Sequence, residues 1–170
     1  MTSSLPTASL NLKSKLIPNA NDINTSRSTM TFRNINMLNV VGKQMYDKYD
    51  AFNISLKWMG YDNASGTLNF GTSSCYICMS GLPYRHSTYD VIANLDTNNA
   101  IFGALVFSGS TTGGTVVNFA TTPMKTFSKM EGSVDLVVTF PTLYDNAPNN
   151  GGSVLYPYVH LAFEITPVIY

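Results

Sequence analysis

The chain has 170 residues, 44% of them apolar and 19 of them Phe or Tyr, with 12 Gly and 8 Pro, and its ten basic and ten acidic side chains cancel. That is room for one domain with a full core, and it excludes disorder over most of the length, collagen-like repeats, and a net positive field that would draw nucleic acid or an anionic membrane. Charged residues are only 12% of the total, about half the usual share, whereas Ser, Thr and Asn number 52, so the chain is polar without being charged.

In chain order, Met1 to Pro6 has neither a basic n-region nor an apolar h-region, so no signal peptide is expected and synthesis in the cytosol follows. Apolar residues then recur with period two, which predicts strands over Leu10 to Leu16 and Met30 to Ile35. Residues 17–28 lack periodicity and read as an extended arm of the kind that docks on a neighbour, which makes 1–28 an N-terminal strand and arm and 29–170 the body. Leu38, Val41, Met45 and Tyr49 fall three or four apart, predicting a turn or two of helix. Phe52, Ile54, Leu56 and Trp58 alternate with Asn53, Ser55 and Lys57, a strand whose apolar side includes Trp58 as a core residue.

Further strands are predicted over Cys75 to Met79, Tyr89 to Ala93, Ile101 to Phe107, Val116 to Ala120, Val134 to Phe140 and Val154 to Ile165. Turn-rich linkers at residues 62–66, 97–99, 109–114 and 145–152 separate them. About nine short strands in one domain mean an all-β antiparallel sandwich or barrel. Residues 97–124 carry no charge, but Ser108 to Gly114 interrupts the apolar run, so no membrane span is expected.

The titratable inventory for acid–base chemistry is thin: His86, His160, Glu131, Glu164 and eight Asp. His160 shares a strand face with Tyr158 and Ala162, opposite Val159, Leu161 and Phe163, and reads as a histidine at a surface or subunit contact. Cys75 and Cys78 form a C-x-x-C, but a lone pair i and i+3 along a strand points to opposite faces and neither chelates one ion nor bridges, so both read as reduced small hydrophobes. No nucleophile elbow or phosphate-binding glycine loop occurs, and Gly113-Gly114 reads as a turn. The sequons at Asn24, Asn53 and Asn63 are the chance product of an Asn-rich chain. Asp62-Asn63 and Asp145 to Asn150 could offer a calcium ion carboxylate and amide oxygens, but with one carboxylate each they read first as turns. No catalytic, cofactor or metal residue is expected.

The absence of charge is the informative feature. Segments 64–84 and 97–124 are rich in Ser, Thr, Asn, Gly and aromatics with no charged side chain, a composition that costs little to desolvate and suits subunit interfaces. Residues 1–85 carry a net charge of +4 and residues 86–170 a net of −4, which fits complementary contacts between copies.

At residues 31–56, Thr31-Phe32-Arg33-Asn34-Ile35-Asn36, then Leu38 to Gly42, then Met45 to Leu56, the chain resembles the single-jelly-roll penton and minor capsid proteins of nucleocytoplasmic large double-stranded DNA viruses. Ser80-Gly81-Leu82-Pro83-Tyr84, Ser87-Thr88-Tyr89-Asp90 and Tyr156-Pro157-Tyr158 to Phe163 fit the same pattern. The resemblance implies a single jelly-roll β-sandwich of about eight antiparallel strands in two sheets with an extended N-terminal arm. It also implies a non-enzymatic protein that acts by assembly in the virion shell, made in the host cytoplasm. Its partners would be further copies in a pentamer and the neighbouring major and minor capsid proteins, with no cofactor and no direct nucleic-acid contact. The length suits a vertex penton better than a double-jelly-roll major protein, and a minor protein elsewhere in the shell is the alternative. The rival class is a carbohydrate-binding jelly roll, which would need Trp58, the one Trp, to be exposed. A cupin-type metalloenzyme would need more His than this chain has.

Overall fold

The structure is a computed structural model and describes residues 5–15, 17–18, 28–62, 67–69, 74–85, 100–106, 110–112, 115–118, 124–140 and 158–169. Its elements run β1 (Ala8–Lys15), β2 (Ile17–Pro18), β3 (Ser28–Asn36), α1 (Met37–Val41), α2 (Lys43–Lys48), β4 (Ala51–Asp62), β5 (Thr67–Asn69) and β6 (Ser74–Ser80). They continue with β7 (Ala100–Val106), β8 (Ser110–Thr112), β9 (Thr115–Asn118), β10 (Lys125–Ser128), β11 (Ser133–Phe140) and β12 (Tyr158–Pro167). The strand expected at Tyr89 to Ala93, the Val154 to Pro157 part of the strand expected at Val154 to Ile165, and most of the arm over 17–28 lie outside the described residues.

Every pairing among these strands is antiparallel, and together the pairings describe a long hairpin rolled up on itself. The two ends of the hairpin pair as β1 with β12, the next strands inward as β3 with β11, then β4 with β9 and β10, then β6 with β7. Rolling brings β12 against β4 and β11 against β6. The result is two sheets, β1-β12-β4-β10 with β9 also on β4, and β2-β3-β11-β6-β7, with a separate β5–β8 pair. This is a single jelly roll.

The core lies between the sheets. Leu10 and Leu12 of β1, Phe52, Ile54, Leu56 and Met59 of β4, Phe127 of β10, and Val159, Leu161, Phe163 and Ile165 of β12 point inward from one side. Met30, Ile77, Met79, Phe102, Leu136 and Val138 meet them from the other. Phe102 and Phe163 touch across the gap, edge to face, at 5.4 Å between centroids, and Phe52 and Phe127 lie 5.7 Å apart. Fully burying side chains of this size stabilises by about 1.5–3 kcal/mol each.

The helical stretch is longer than the spacing suggested and is broken in two. Gly42, at φ +81°, ends α1 by donating its N–H to the Leu38 carbonyl and starts α2 by accepting from Tyr46 N–H. Asn36 caps α1 through its side chain. Tyr46 then clips α2 to the β10–β11 turn: its hydroxyl donates to the Met130 carbonyl and Lys129 lies over its ring at 4.5 Å.

Trp58 is not a core residue. Pairing of β4 with β12 slips between Leu56↔Phe163 and Trp58↔Ala162, leaving Lys57 as the extra residue of a bulge. One residue of slip reverses the faces, so Met59 takes the inward position at 1% exposure and Trp58 turns to the outer face, half-buried.

Candidate functional site

The outward side chains of β1, β12 and β4 form the first place where chemistry gathers. His160 packs edge-on against Trp58 with centroids 4.8 Å apart, Lys13 stands opposite His160 and reaches over the Tyr158 ring at 5.6 Å, and Lys57 pairs with Glu164 at 3.1 Å. Strand alternation explains this set, because the opposite faces of the same strands carry Leu10, Leu12, Val159, Leu161 and Phe163. His160 therefore sits where its alternation placed it, and the unexpected member is Trp58.

A second feature is a groove of about 620 Å³ where the residues at 5–7 and Ile169 come alongside α1, α2 and Tyr49. Nothing in the order of the chain announces it, since its walls come from three separated segments. Gly42 divides α1 from α2, and Gly42, Lys43 and Lys48 all line the groove.

The other residues singled out by their chemistry stay apart. Glu131 is exposed in the β10–β11 turn, and Asp135 is exposed with its carboxylate accepting the Asn34 N–H at 2.9 Å. Cys78 is buried and forms no disulfide. Asn53 is half-buried within β4, with its side-chain oxygen accepting the Thr126 hydroxyl at 2.7 Å, which ties up that sequon. His86, Asn24, Asn63, Gly113-Gly114 and Asp145 to Asn150 lie outside the described residues, as do the side chains of Cys75 and Asp62. Among the described residues no three of His, Cys, Asp and Glu converge, and no helix is long and apolar enough to cross a membrane.

The segment Leu82 to Arg85 leaves β6 and runs along β10 of the other sheet, with Arg85 N–H donating to Thr126 and Ser128 N–H to Pro83. Tyr84 is bridged to Phe127 there, and its buried hydroxyl finds no hydrogen-bond partner. Burial pushes that phenol well above its ordinary range.

No protein-family model matches the chain, and no curated protein matches it. Solved structures similar to it include one of turnip yellow mosaic virus, 11% identical over 100% of this chain and 86% of that one, with a TM-score of 0.29. Another is the empty head of the same virus, 12% identical over the same shares, also at 0.29. The jelly-roll assignment rests on the strand pairings and not on these likenesses.

Proposed function

We propose that the chain is a structural building block of an icosahedral virus capsid, placed at the fivefold vertex of a large DNA virus shell and working as a pentamer. The observation that carries this reading is the filled interior: with Phe52, Phe102, Phe127 and Phe163 closing the space between the sheets, this jelly roll keeps its chemistry on the outside and acts through its surfaces. The long uncharged segments and the opposed charges of the two halves suit a heterologous contact, in which one patch meets a different patch on the next copy and the ring closes. Neighbouring major and minor capsid proteins would be its other partners, and a minor position elsewhere in the shell is the nearest variant.

Light scattering on the purified chain across a concentration series tests it. A pentamer, or another closed ring larger than a dimer, is the expected mass. A monomer at every concentration would remove the pentamer and leave, of the capsid readings, only a shell position held by other proteins.

A second reading, a carbohydrate-binding jelly roll, is favoured by one observation, the outward turn of Trp58 beside His160, on a face that also carries the exposed Tyr158. A glycan screen read by calorimetry, repeated with Tyr158→Ala and Trp58→Ala, should find saturable binding that both substitutions remove. A silent screen would end that reading.

A further inference from the structure

We propose that the groove beside α2 binds a single-chain anionic amphiphile, an acyl chain ending in one acidic group. Its floor is made by Val41 and Met45, and its walls by Leu5, Pro6, Tyr49 and Ile169. Leu5 is 46% exposed and Ile169 63%, and they are two of only four large hydrophobic side chains left exposed among the described residues. Both line this one groove, so exposed apolar surface is concentrated here instead of being scattered. The volume, about 620 Å³, falls within the roughly 300–1,000 Å³ that small-molecule sites span.

The sign of the ligand follows from the rim. Among the described residues Lys43 and Lys48 line the groove and no carboxylate does. Lys43 is engaged by Asp47 at 2.7 Å, a pair with side chains 82% and 55% exposed and therefore a weak one. Lys48 lies 5.2 Å above the ring of Tyr49, with its ammonium at the edge of the apolar wall. An acid group placed there would gain a charge partner while its chain covers the floor. Among the described residues the uncharged polar side chains lining the groove are Thr7, Gln44 and Tyr49.

Calorimetric titration of the full chain with decanoate, decanol and decyltrimethylammonium, each below its micelle concentration, tests the assignment. Saturable binding of decanoate is expected, with decanol weaker and the cation weakest. Lys48→Gln should weaken decanoate binding about two- to fivefold, and Ile169→Asp should remove it. Both side chains are exposed, and circular dichroism would verify that each variant is folded. Equal binding of decanol or of the cation, or no saturable binding of decanoate, would overturn the proposal. So would binding only to phosphatidylglycerol vesicles, which would make this a bilayer contact, or a self-association lost in Ile169→Asp without decanoate binding, which would give the groove to a second copy.

Discussion

At Gly81 the backbone has φ +106°, and a Cβ there would collide with the carbonyl oxygen of Asp135. Gly81→Ala combines a left-handed conformation with a backbone clash, and the expected cost is about 2–3 kcal/mol, read as a lowered urea midpoint at unchanged m-value. Asp135 is fixed from its other side too, since its carboxylate holds the N–H of Asn34, a non-glycine residue at φ +57° in the β3 bulge opposite. Tyr84 makes a contrasting case. Its hydroxyl is buried with no partner, so it contributes desolvation cost without a hydrogen bond. Tyr84→Phe should therefore raise stability by about 1 kcal/mol in the same urea titration. The wild-type phenol also has a raised pKa in the folded state. A group raised in this way gives stability that is intact below its unfolded pKa, about 10, and is lost as pH climbs beyond it. Tyr84→Phe should flatten the alkaline fall in stability measured between pH 9 and 11.

The bulge at Lys57 shows what elements add to residues. Removing Lys57 would set Trp58 directly after Leu56, outward, and Met59 after it, inward, so every face would be kept without the bulge, and the deletion should leave one cooperative thermal transition. Trp58→Ala, by contrast, removes a half-buried ring from the outer face. It should cost about 1–2 kcal/mol in a denaturant titration, against about 3–5 for Phe163→Ala in the core. The strands were legible in the sequence because alternation is strong: β12 buries Val159, Leu161, Phe163 and Ile165 as its pattern demands. The phase change in β4 was not, because Phe52, Ile54, Leu56 and Trp58 continue one period without interruption. Its only trace is the adjacent apolar pair Trp58-Met59, which no single face can take. The two-helix connection was half legible: the apolar spacing marked it, but the division at Gly42 depends on a φ of +81° that a glycine permits and does not dictate. The groove left no sequence signal at all, because its walls come from residues 5–7, 41–49 and 169, and only the rolled-up topology brings them together.

For the molecule as a whole, the strands enter the two sheets out of chain order, so neither sheet is a continuous stretch of sequence that could detach. Leu12→Ala in β1 and Val138→Ala in β11, one in each sheet, should each lower the same single transition. The expected losses are about 2–4 kcal/mol and about 1–3 kcal/mol respectively, with fluorescence and circular dichroism melting together. Separate transitions for the two probes would show that the sheets fold independently. The pairing of β1 with β12, from Ala8↔Ile165 through Lys15↔Tyr158, also bears on how the protein is made. On the ribosome β12 (Tyr158–Pro167) is synthesised long after β1 (Ala8–Lys15), and contacts so distant in sequence are slow to form. Throughout that interval Leu10 and Leu12 have no β12 to pack beside. The nascent chain thus carries an unpaired apolar strand while every strand from β2 to β11 is made, and chaperone occupancy should persist until β12 has cleared the exit tunnel.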